Sequence, residues 1–106
     1  MNQIVPALPF PTLPALLAAE SARARARFFE FFLSHVRNPN TRRAYGRAVG
    51  EFLAWCEERR VLSLAGVQPL HVAKWIEGQT EKHAAPTVKQ RLAAIRRQLK
   101  LLADYL

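Results

Sequence analysis

The chain has 106 residues, half of them apolar and 23% charged, which is the balance of one globular domain long enough to bury a single modest core without staples. Sixteen Lys and Arg against eight Asp and Glu give a formal charge of +8; a small domain that basic repels itself, so a polyanionic partner is the expected reason for it, with a basic surface that merely aids solubility as the alternative. One cysteine, Cys56, excludes an internal disulfide and a cysteine-cluster metal site, and no apolar run reaches the roughly 18 residues of a membrane span or forms a secretory leader.

In chain order, residues 1–14 come first and hold Pro6, Pro9, Pro11 and Pro14. That density removes backbone donors and forbids a regular helix, so a flexible, extended Pro-rich N-terminal arm is expected ahead of a helical domain over 15–106. Pro39, Pro69 and Pro86 each stand just ahead of a segment of 3.6-residue periodicity, where a fixed φ suits a first helical turn. Four helices follow, roughly 15–36, 40–60, 69–80 and 86–106, with no alternating strand pattern. The fold class is all-α.

The first predicted helix carries Phe28, Phe29, Phe31 and Phe32 over a wider arc than one neighbouring helix needs, so either the domain wraps it deeply or part of that surface meets another protein. In the second, Tyr45, Val49, Phe52 and Cys56, flanked by Ala48 and Leu53, form one apolar stripe. Cys56 therefore reads as a buried structural thiol rather than a nucleophile, consistent with a reducing cytoplasm. Arg43 and Arg47 lie one turn apart on the opposite side beside Gly46 and Gly50, which suggests a backbone approached by something bulky or else a neutral loss of side chains on a solvated face. The acids Glu57 and Glu58 follow the arginines, against the helix dipole; a phosphate docked at Asn40–Arg43 would reverse the unfavourable sign at the cationic start.

The third predicted helix has a short core stripe of Val72, Trp75 and Ile76, ends near Gly78 and leads through a polar link, "GQTEKHAAP". The fourth has a core stripe of Val88, Leu92, Ile95, Leu99 and Leu102, with Lys89, Gln90, Arg91, Arg96, Arg97 and Lys100 around the rest of its circumference. Ala93 and Ala94 keep a low strip between those cations, a shape suited to a nucleic-acid groove in which Lys and Arg hold phosphates and Gln90 meets a base edge. The pattern runs to Leu106 without a Gly, Asn or Pro stop signal, as expected of a domain within a longer protein.

Nothing in the chain has the spacing of a P-loop, a dinucleotide turn or a His/Glu metal site; His35, His71 and His83 are scattered, and neither Tyr45 nor Tyr105 has a base around it. No cofactor and no metal is expected, and the chain on its own does not read as an enzyme.

The segments "NPNTRRAYGRAVGEFLAWCEERR", "VQPLHVAKWIE" and "APTVKQRLAAIRRQLKLL" together resemble the core-binding domain of tyrosine recombinases, the phage-integrase, Xer and Cre group. The pattern is Asn-Thr-x-x-x-Tyr, six residues to Phe, then Trp-Cys, and later Thr-Val-x-x-Arg-Leu-x-Ala-Ile-Arg, covering about residues 18–106. The resemblance implies a four-helix SAM-like bundle forming one half of a clamp around double-stranded DNA. It implies that Thr41, Arg42, Arg43 and Arg47 meet phosphates, that Thr87, Lys89, Gln90 and Arg91 meet phosphates and base edges, and that Arg97 contributes further along. It also implies that Phe29 and Leu33 on the first helix face a neighbouring protomer of a recombinase tetramer. The catalytic Arg, Lys, His-x-x-Arg and Tyr of that family belong to a following domain, expected after residue 106 and a partner of this one. Two other readings stand beside it: a stand-alone helical DNA-binding regulator, against which the helix between the two basic ones argues, and a helical protein-interaction module whose basic charge is incidental.

Overall fold

The computed structural model describes residues 14–34 and 37–105, with the side chains of 31–34 and 101–105 outside that description. Every regular element among the described residues is helical: α1 (Ala15–Ala18), α2 (Ala22–Ser34), α3 (Pro39–Glu58), α4 (Pro69–Lys82) and α5 (Ala85–Tyr105), with a short 3₁₀ turn at Leu64–Gly66 between α3 and α4. The predicted arm lies outside the described residues except for Pro14, as do His35 and the side chains of Phe31, Phe32, Leu33 and Leu102.

The three later prolines sit in first helical turns, Pro39 and Pro69 as the opening residues of α3 and α4 and Pro86 as the second residue of α5. The first predicted helix is two helices. Between α1 and α2 the Ser21 hydroxyl accepts from the Ala24 amide at 3.2 Å, which starts α2 afresh. The Arg25 guanidinium donates to the Ala18 carbonyl at 3.3 Å and to the Glu20 carbonyl, closing the end of α1. A serine after an acid carried that signal, but the phenylalanine run masked it.

The core is one cluster drawn from every helix. Leu16 and Leu17 of α1, Phe28 of α2, and Ala48, Val49, Phe52, Leu53 and Cys56 of α3 meet Trp75 of α4 and Ala94 and Ile95 of α5. Phe52 and Trp75 meet edge to face at 5.5 Å between ring centres. The α3 stripe is the one its periodicity predicts, with Gly46 buried beside it, so any close approach at Gly46 is made inside the bundle. Phe29 packs against the core edge to face with Phe28 and is partly buried.

On α5 the buried face is turned from the predicted one. Val88, Arg91, Ala94, Ile95 and Gln98 are buried, while Leu92 and Leu99 are only half-buried. At 100° per residue this is a rotation of roughly 60°. Two polar side chains can occupy core positions because each is bonded there: the Gln98 amide donates to the Phe28 carbonyl at 3.0 Å, and Arg91 is held by acceptors on α3 and α4. Leu92 and Leu99 instead border an open apolar groove of about 820 Å³ with Val67, Val72 and Ile76. Ala94 is fully buried, so only Ala93 remains in the low strip between the cations.

Helix α4 runs through Gly78 to Lys82, and only His83 and Ala84 link it to α5. Most of the predicted polar link is thus helical; one glycine costs a helix about 1 kcal/mol, which burial of Trp75 and Gln79 on either side outweighs. His71 is absorbed locally, its Nδ1 accepting from the Gln68 amide at 2.8 Å in the first turn of α4. Helix α3 ends in a Schellman turn, with Val61 N–H on the Cys56 carbonyl at 3.1 Å and Arg60 N–H on the Glu57 carbonyl at 3.0 Å. Arg60 occupies the left-handed position of that turn, φ 63°, where glycine is the usual residue.

Candidate nucleic-acid interface

The charge order along α3 is explained by its neighbours. Its cations, Arg42, Arg43 and Arg47, lie in the first half and its acids in the second, and each acid has a local task. Glu57 accepts from the Leu16 amide at 2.9 Å and so caps the N-terminus of α1; an acid at the unfavourable end of its own helix sits at the favourable end of another. Glu51 pairs with Arg91 of α5. Glu58 lies 4.0 Å from Arg59, whose guanidinium stacks 3.8 Å over the Trp55 ring.

The start of α3 differs from the anion-docking expectation. The Asn38 side chain accepts from the amides of Asn40 at 2.8 Å and Thr41 at 3.3 Å, and the Arg42 amide bonds the Asn38 carbonyl at 2.9 Å. Pro39 has no N–H, so every backbone donor of the first turn is taken. Any anion held here would be held by side chains. Arg43 and Arg47, one turn apart, are both exposed, and Arg43 donates to Asn40 Oδ1. Thr41 and Arg42 are half-buried, and Arg42 is already engaged.

On α5, Lys89, Gln90, Arg96, Arg97 and Lys100 are exposed and Thr87 is half-buried. Among the described residues no carboxylate lies within ion-pairing distance of Arg43, Arg47, Lys89, Arg96, Arg97 or Lys100. These cations, Arg96 and Lys100 among them, are the ones the sequence pattern places outside the apolar stripes of the two helices.

Arg91 is placed differently from the other cations. It is buried, with its fork on the Glu51 carboxylate (Nη1–Oε1 3.2 Å, Nη2–Oε2 3.0 Å) and Nη1 also on Gln79 Oε1 at 2.9 Å. Both Nη1 donors and one Nη2 donor are thus engaged inside the bundle. The partners Glu51 and Gln79 were missed by sequence reasoning. The available signal was register, since Arg91 lies three residues after Val88 and four before Ile95, both buried. The contact also brings the turn of α5 that carries Gln90 against the turn of α3 that follows Arg47.

Cys56 is fully buried, and burial pushes its thiol from 9.0 up to about 11, Arg59 opposing that rise and Glu57 adding to it. Among the described residues no group of three or more His, Cys, Asp or Glu gathers as metal ligands, and no helix is long and apolar enough to cross a membrane.

No curated protein and no solved structure matches the chain. A family model does: that of the phage integrase, N-terminal SAM-like domain, matches residues 26–104, a span that takes in both cationic helices and the Arg91 contact between them. The chain belongs to that family, with the recombinase-family role and the general partnership with DNA that membership carries.

Proposed function

We propose that this is the core-binding domain of a site-specific recombinase or integrase, which grips duplex DNA at a recombination half-site with α3 and α5 while a separate catalytic domain cleaves and joins strands in the same cytoplasmic complex. The observation that carries the reading is the pair of helices whose exposed cations have no carboxylate within ion-pairing distance among the described residues. Exposed cations without carboxylate partners in a domain of formal charge +8 give a surface that attracts a polyanion. Arg43, Arg47, Lys89 and Arg97 hold phosphates, the half-buried Thr41 and Thr87 add hydroxyl contacts at the two helix starts, and Gln90 offers a paired donor and acceptor to a base edge. Arg91 leaves this set and joins the framework behind it.

Titration of the domain onto a short duplex at several salt concentrations tests the reading. Affinity should fall steeply with salt and, on non-specific DNA at physiological salt, lie on the order of micromolar or weaker. A salt-independent response would remove the DNA assignment. On a duplex carrying the cognate site, Gln90→Ala should narrow the gap between that site and random sequence, whereas Arg43→Ala should weaken both alike.

A further inference from the structure

We infer that the Glu51–Arg91–Gln79 cluster is a positioning device that sets the spacing of the two DNA-gripping helices, an inference that rests on the DNA reading above. The geometry has three parts. The Arg91 fork meets both carboxylate oxygens of Glu51, at 3.2 and 3.0 Å, a planar two-point contact that fixes orientation as well as distance. The same Nη1 reaches Gln79 of α4 at 2.9 Å, and the guanidinium carbon stands 5.9 Å from the Trp75 ring centre, so α3, α4 and α5 meet at one side chain. Finally, the cations hang from the adjoining turns. Arg47 precedes Glu51 by one turn, about 6 Å along the axis, and Lys89 and Gln90 precede Arg91 by about 3 Å or less.

A rigid tie at that point holds both cation sets at one fixed separation before DNA arrives, which removes an ordering cost from binding. Glu51 itself is half-exposed on the stripe that carries Arg47. A bare carboxylate there would repel phosphate, and Arg91 neutralises it.

This arrangement makes a prediction opposite in sign to simple electrostatics. Removing a negative charge beside a phosphate-binding face should tighten DNA binding. Glu51→Gln is instead expected to weaken binding about five- to tenfold at 0.1 M salt and to make the slope of log K against log[salt] shallower by about 0.9, the value of one phosphate contact, although no cation has been removed. Glu51→Asp keeps the charge but is too short for the two-point contact, and it should weaken binding in the same way. Circular dichroism and thermal melting establish that each variant is folded at the assay temperature, and Glu51→Asp serves if Glu51→Gln is not. Folded variants that melt earlier yet bind DNA as tightly as the unmodified protein, with an unchanged slope, would reduce the cluster to structural glue and overturn the inference. So would tighter binding by Glu51→Gln. An unmodified domain with no salt-dependent affinity would instead bring down the DNA reading, and this inference with it.

Discussion

If α3 and α5 grip DNA as proposed, removing one cation should lower the number of phosphates held by one. Of the exposed cations on α3 and α5, the proposal sets four on phosphates: Arg43, Arg47, Lys89 and Arg97. Each neutralised phosphate contributes about 0.9 to the slope of log K against log[salt], so four give about −3.6. Affinity then drops about 150-fold between 50 and 200 mM salt. Arg47→Ala should leave a slope of about −2.7 and a drop of about 40-fold over the same range. Fluorescence anisotropy on a labelled duplex at five or six salt concentrations resolves that difference. Arg59→Ala is the matched control: its guanidinium lies on the Trp55 ring at the other end of α3, and its loss should leave the slope alone. An Arg47→Ala slope equal to that of the unmodified protein would refute the count, because the cation would then be meeting water rather than phosphate.

Three further outcomes concern the framework. Arg60→Gly should stabilise the domain by about 0.5–1 kcal/mol, raising the melting temperature by a few degrees, since glycine relieves the left-handed backbone while its extra freedom in the unfolded chain offsets part of the gain. Loss of the α1 cap in Glu57→Ala should cost about 1 kcal/mol and speed hydrogen exchange at the Leu16 amide ahead of the core amides of α3. Cys56 should resist a thiol reagent at pH 8 until the protein unfolds. The folded thiol titrates near 11 against 9.0 unfolded, so its share of the stability is whole below about pH 9 and declines as the pH rises toward 11, which denaturant melts across that range would follow.

The helical class, the three prolines at helix starts and the α3 core stripe were legible because each follows from local rules: a fixed φ, a period of 3.6 and a run of apolar side chains. The α5 face was misread because those rules count apolar residues and have no means of seeing a polar side chain's partner forty residues away. Arg91 looks like a surface cation until Glu51 and Gln79 are placed around it, and Gln98 looks like a solvent residue until the Phe28 carbonyl meets it. The engagement of the backbone donors at the start of α3 was hidden for a related reason. The Asn38 side chain accepts from two amides, which leaves no backbone donor over, and that depends on a rotamer the sequence does not state. Arg43, Arg47, Lys89, Gln90 and Arg97 were legible as exposed because they fall opposite or beside an apolar stripe, a position geometry alone assigns.

The hydrogen bond from Leu16 to Glu57 also settles where a probe can be mounted. It fastens the chain just after Pro14 to the last turn of α3, ten residues beyond Arg47 and thus about 15 Å farther along the axis. A dye or affinity handle attached at the exposed Ala15, as Ala15→Cys, would sit at the end of α3 opposite its arginines, so single-molecule or surface-capture experiments could hold the domain by that end.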